Sequence, residues 1–122
     1  MCGVAGIIDY QGGSDSIPAV EEMLRSFSYR GPDESGIYHS QAVTIGNVRL
    51  SIIDLATGQQ PLSDVSGRYW IVFNGEVYNH VELRAELERT GRTFRSRTDT
   101  EVVLHAYLEW GADCLARFNG MW

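Results

Sequence analysis

The strongest constraint on this chain lies at its start. Met1 to Ile8 is a short apolar run with cysteine at the second position, and turn-rich residues follow it from Asp9 to Asp15. The run reads as a strand beginning at the terminus, with Gly3 and Gly6 interrupting it. Removal of an initiator methionine requires a small second residue, and cysteine qualifies. Once Met1 is gone, Cys2 carries a thiol and a free α-amine on one Cα. Thiolate is an intrinsically strong nucleophile. An α-amine has a reference pKa of about 7.7–8.0, so a useful fraction is neutral near physiological pH. One residue then holds both nucleophile and base. Taken alone, Cys2 reads better as an inert buried cysteine, because free cysteine is among the most buried residue types.

The chain of 122 residues is one domain or part of one, and its 43% hydrophobic content supports a core. The net charge of −6 argues against nucleic acid as the main partner. All ten basic residues are arginine, which excludes Schiff-base lysine chemistry. There is no apolar run long enough for a membrane span and no signal-peptide pattern. Cys2 and Cys114 allow one disulfide but no secreted framework, so a reduced, cytoplasmic protein is the simpler expectation.

Further along, Ser16 followed by Ile17-Pro18 predicts a helix start. Val20, Met23, Leu24 and Phe27 share its inner face, and it stops near Ser28-Tyr29. Arg30 to Gly36 is a charged turn, either closed by its own ion pairs or forming the wall of a site. Strands are expected at Ile37-Tyr38 and from Ala42 to Leu50, running on into Ser51–Leu55, with Gly46 as a bulge or turn. Arg49 inside this apolar strand either snorkels from an edge or holds a carboxylate bidentately.

Arg68 to Phe73 predicts a strand buried on both faces. Asn74-Gly75 is a turn whose side-chain amide and N–H are donors of the kind that stabilise an oxyanion. Asn79 is placed to cap a helix over His80–Arg89, with Leu83 and Leu87 inward and Thr90-Gly91 at its end. A brief strand is expected at Thr93-Phe94-Arg95. Thr98 and Glu101 match a capping box for a helix that buries Val103, Ala106, Tyr107 and Trp110. Asp99 in its first turn is accounted for by the helix dipole alone. A short helical turn over Asp113–Phe118 and a nascent strand at Met121-Trp122 complete the pattern.

In order along the chain come Cys2–Gly6, Tyr29–Gly36, Arg49–Leu55, Gly58-Gln59-Gln60-Pro61, Asn74–Asn79 and Thr98–Glu101. Together they resemble the glutaminase domain of glutamine-dependent asparagine synthetases, a class II glutamine amidotransferase domain among the N-terminal nucleophile hydrolases. The resemblance reverses the inert reading of Cys2. It implies an α+β fold, a four-layer α/β/β/α sandwich of antiparallel sheets with the terminal cysteine on an inner strand. It implies Cys2 as nucleophile, its α-amine as base and then acid, and Asn74 with Gly75 as oxyanion hole. Arg49 is expected to hold the substrate α-carboxylate and Asp99 the α-ammonium, with Ile52 and Glu76 in the same site. The implied reaction is hydrolysis of L-glutamine to glutamate and ammonia through a Cys2 thioester.

No cofactor is expected in this domain. ATP and magnesium belong to a C-terminal synthetase domain, expected to be absent from residues 1–122. The family's glutaminase domain also runs past Trp122, so the sandwich is expected to be truncated and the isolated chain weakly stable or self-associating as a homo-oligomer.

Three alternatives stand beside this. One is a non-catalytic or partner-binding module that keeps the fold. Another is an N-terminal nucleophile acting on a different amide. A third is metal binding through Cys2, Cys114, His39, His80 and His105, whose spacing fits no zinc pattern. Cys114 is expected to be a core residue.

Overall fold

A computed structural model describes residues 2–11, 15–50 and 58–122. The expected continuation through Ser51–Leu55, and with it Ile52, lies outside the described residues.

The N-terminal half is built on a three-stranded antiparallel sheet. Its strands are β1 (Gly3–Ile8), β2 (Glu34–His39) and β3 (Val43–Arg49), in the order β1-β3-β2. Gly3 pairs with Val48 and Glu34 with Arg49. Alternation then assigns the faces. One face carries Ala5, Ile7, Ile37 and Val48. Helix α1 (Ile17–Ser26) packs Val20 and Leu24 onto it, with Phe27 alongside. The other face carries Val4, Ile8, Tyr38, Ile45, Asn47 and Arg49.

Several expectations for this half need correction. Met23 is 41% exposed, because Val20 and Leu24 suffice to cover the narrow sheet. Ser16 sits at the N-cap position but spends its hydroxyl on Thr44, 2.6 Å away, instead of on the helix. Gly46 is neither bulge nor turn. It is in register opposite Ala5 and Ile37, beneath Leu24, whose Cδ1 would lie 2.8 Å from an added Cβ. Among the described residues β1 is an outer strand of this sheet.

The C-terminal half uses two short ribbons and two helices. β4 (Leu62–Ser63) pairs with β5 (Trp70–Ile71), and β6 (Glu76–Val77) pairs with β7 (Gly120–Met121). Helices α2 (His80–Arg89) and α3 (Asp99–Trp110) close a second core of Val77, Leu83, Leu87, Val102, Ala106 and Cys114. The halves meet where Tyr38 stacks on Trp70, ring centres 4.0 Å apart.

Helix α2 spans the expected residues, but Asn79 does not cap it with its side chain. That amide instead reaches the chain end, donating to Arg117 O at 3.0 Å and accepting from Asn119 N–H at 2.9 Å. Arg68 and Tyr69 are exposed and only Trp70–Ile71 is strand, so the segment is not buried on both faces. Thr93–Arg95 forms no strand. On α3 the buried apolar residues are Val102, Leu104 and Ala106, and Tyr107 is 51% exposed. The expected final turn is a 3₁₀ segment, Gly111–Arg117, and the nascent strand at the chain end is the β7 partner of β6. Both cysteines are free. Helix and antiparallel sheet together make this an α+β fold. Among the described residues, no helix is long and apolar enough to cross a membrane.

Candidate active site

The sheet register explains how the first residues meet Arg49. Gly3 lies opposite Val48, so continuing β1 back by one residue brings Cys2 beside Arg49, on the face away from α1. Cys2 is half-buried there. Its thiol points at the Leu50 carbonyl, 3.9 Å away, and its own carbonyl accepts from Arg30 Nε at 3.2 Å. The loop carrying Arg30 lies across the end of β3, where Asp33 N–H donates to Arg49 O at 3.2 Å. Gly31 permits this approach. A Cβ there would lie 2.7 Å from the Arg49 carbonyl carbon.

Arg49 is 5% exposed on the central strand, which excludes an edge arginine snorkelling to water. Its Nη1 donates to Glu34 Oε2 at 2.8 Å, across the pair that faces it on β2. A buried guanidinium needs such a partner, because desolvating it alone is costly. Arg30 and Glu34 both reach out of their loop, to Cys2 and to Arg49. The charged turn therefore backs the wall formed by Cys2 and Arg49, and none of its own residues lines the cleft.

The opposite wall is the N-terminus of α3. Thr98 Oγ1 accepts Glu101 N–H at 3.3 Å, as a capping box requires. Glu101 does not return to the N-cap amide but reaches further back. Its carboxylate accepts the N–H of Arg95 at 2.9 Å, and the N–H and hydroxyl of Ser96 at 2.7 Å each. Burial opposes its ionisation, but the His105 side chain and these Arg95 and Ser96 donors outweigh it and hold its pKa down at about 2. Glu101 therefore stays ionised and fastens the Arg95–Thr98 turn. Asp99 follows, 7% exposed, accepting Val77 N–H through Oδ2 and Thr100 N–H through Oδ1, each at 2.9 Å.

These walls border a small cleft that is open to solvent. Cys2, Arg49, Gly75, Glu76 and Asp99, each singled out from the sequence, line it together. Asn74 does not. It is exposed, one residue before the lining at Gly75. Leu50, Gly58, Gln60, Phe73, Thr98 and Thr100 also line the cleft and were not anticipated. A signal existed for five of them, since Leu50 belongs to the Arg49–Leu55 motif, Gly58 and Gln60 to Gly58–Pro61, and Thr98 and Thr100 to Thr98–Glu101, whereas Phe73 stands in none. Cys114 is buried in the second core, and burial pushes its thiol pKa up. Among the described residues, no three of His, Cys, Asp and Glu converge as a metal set would.

A thiol beside a buried cation, with a buried carboxylate facing them, suits attack on a small substrate bearing both charges. The whole chain, residues 1–122, matches the family described as "Glutamine amidotransferase domain". Asparagine synthetase [glutamine-hydrolyzing] 1 of Bacillus subtilis is 41% identical over 99% of this chain. Asparagine synthetase [glutamine-hydrolyzing] 3 of the same organism is 37% identical, and asparagine synthetase [glutamine-hydrolyzing] 1 of Arabidopsis thaliana 38%, each over 99% of the chain. The chain spans 20% of the length of each of these relatives.

Proposed function

This chain belongs to the glutamine amidotransferase domain family, and from that we propose that it hydrolyses free L-glutamine through Cys2 and supplies the ammonia to amide synthesis. The observation carrying this is the shared cleft of Cys2, Arg49, Gly75, Glu76 and Asp99. In the proposed reaction the Cys2 thiolate attacks the side-chain amide carbon. Charge develops on the amide oxygen, where the Gly75 N–H and the Asn74 amide are the proposed donors. Such a donor contributes about 10²–10³ in rate. The C–N bond then breaks, and the α-amine of a processed Cys2 returns its proton to the departing ammonia. Water hydrolyses the thioester to glutamate and regenerates the thiol.

Arg49 takes the α-carboxylate and Asp99 the α-ammonium. Peptide-bound glutamine leaves those groups unmatched and is rejected. We place the chemistry in a four-layer sandwich of the N-terminal nucleophile type, with α1 and the α2–α3 pair as outer layers. The named relatives support asparagine as the eventual product, made by a synthetase domain that uses ATP and magnesium. The glutaminase step itself is proposed to need no cofactor.

The direct test is release of glutamate from glutamine by protein lacking Met1. Turnover that disappears in Cys2→Ser, and on blocking the glutamine α-amine, fits the proposal. Equal turnover of an amide with neither charge refutes the assignment of Arg49 and Asp99.

A further inference from the structure

We infer that Gln60 is a positioning residue, a side-chain tie that fixes the strand end leading into Asn74 and Gly75 against helix α3. Its Oε1 accepts the Phe73 N–H at 2.6 Å, and its Nε2 donates to Thr100 Oγ1 at 3.2 Å. The orientation of the amide is forced. A backbone N–H can only donate, so the oxygen must face Phe73 and the NH₂ must face Thr100. Gln60, Phe73 and Thr100 all line the cleft that holds Cys2, Gly75 and Asp99.

The tie spans a gap in the backbone ladders. β4–β5 pairing ends at Ile71, and β6–β7 pairing begins at Glu76. Residues 72–75, which carry the proposed oxyanion donors, lie between the two ladders. Gln60 itself is anchored on the sheet. A Cβ on Gly36 would collide with the Gln60 carbonyl oxygen, so its backbone rests against β2. Sheet, donor strand and helix are thus joined through one carboxamide.

The catalytic consequence rests on the glutaminase reading. Donors must meet the developing oxyanion within a few tenths of an ångström, and small misplacements cost rate more than binding. Gln60→Met keeps the length and removes both hydrogen bonds. Thr100→Val removes only the acceptor on α3.

In the native full-length polypeptide, Gln60→Met is expected to lower kcat for glutamine by about 10- to 100-fold while KM stays within about threefold. Backbone amide exchange over 72–76 should quicken, with the β1-β3-β2 sheet unchanged. Thr100→Val should move both readouts less, in the same direction. The double variant should be no worse than Gln60→Met alone. If Gln60→Met does not fold, Thr100→Val and its exchange pattern decide. Unchanged kcat with unchanged local exchange overturns the tie. So does a loss confined to KM, or loosening of the whole sheet. If the wild type releases no glutamate, the glutaminase reading falls, and exchange over 72–76 still decides whether Gln60 holds the strand.

Discussion

The Asp99 carboxylate accepts the Val77 amide proton at 2.9 Å, so the first turn of α3 and strand β6 form one wall. Its other oxygen accepts Thr100 N–H, also at 2.9 Å. Each oxygen has a second lone pair, which lets Asp99 brace the wall and receive an ammonium together.

Asp99→Asn tests both roles. The amide offers one oxygen and turns its NH₂ toward a donor it cannot bind. We predict a stability loss of about 1–3 kcal/mol, measured by denaturant titration. KM for glutamine should also rise by about tenfold or more, as expected when a charge partner is removed. An unchanged KM would separate Asp99 from the substrate.

Arg49→Lys keeps the charge and removes the planar fork. The variant should fold, because an ammonium still reaches Glu34. KM should rise by about 10- to 100-fold, since bidentate holding of a carboxylate is lost. Arg49→Leu strands Glu34, whose side chain is 30% exposed, so its cost falls below that of a fully buried broken pair. Thermal melts of the two variants distinguish these outcomes.

Glu101 makes stability depend on acid. Its folded pKa of about 2 lies below its ordinary value of 4.5. The carboxylate therefore contributes fully above pH 4.5, and the contribution is lost as pH falls from there toward 2, on the order of 3 kcal/mol in all. Asp64, held near 2 from its ordinary 3.8 by the Ser66 hydroxyl and the Tyr69 N–H, adds to the slope only below about pH 3.8. Glu101→Gln should lower stability at neutral pH and flatten, without abolishing, the acid-side fall. Chemical denaturation between pH 2 and 7 measures it.

The isolated polypeptide of residues 1–122 should self-associate. Val4 is 43% exposed and Ile8 59% on β1, an outer strand among the described residues, so apolar side chains flank a strand edge that invites association. Light scattering that rises with concentration is expected. A strictly monomeric, cooperatively unfolding species would contradict it.

Residues whose roles depend on local patterning were legible in the sequence. The 3.6-residue spacing of Leu83 and Leu87 matched helix α2, and the Thr98–Glu101 signature marked where α3 begins. The motifs containing Cys2, Arg49, Gly75 and Asp99 marked one side of the cleft each. Long-range partners were not legible. Nothing local says that Asn79 turns from its own helix to Asn119, or that Ser16 prefers Thr44. The Arg68–Phe73 run looked buried on both faces, yet strand pairing stops at Ile71. Gln60 stood inside a quoted motif without a role, because its two partners lie 13 and 40 residues away.

The most direct test of the account is the intact mass of the purified native protein before and after an electrophilic glutamine analogue. The account predicts loss of Met1 and one covalent adduct, mapped to Cys2 and absent in Cys2→Ser. Protein that has lost Met1 yet gains no adduct, or gains it on Cys114, would contradict Cys2 as the nucleophile.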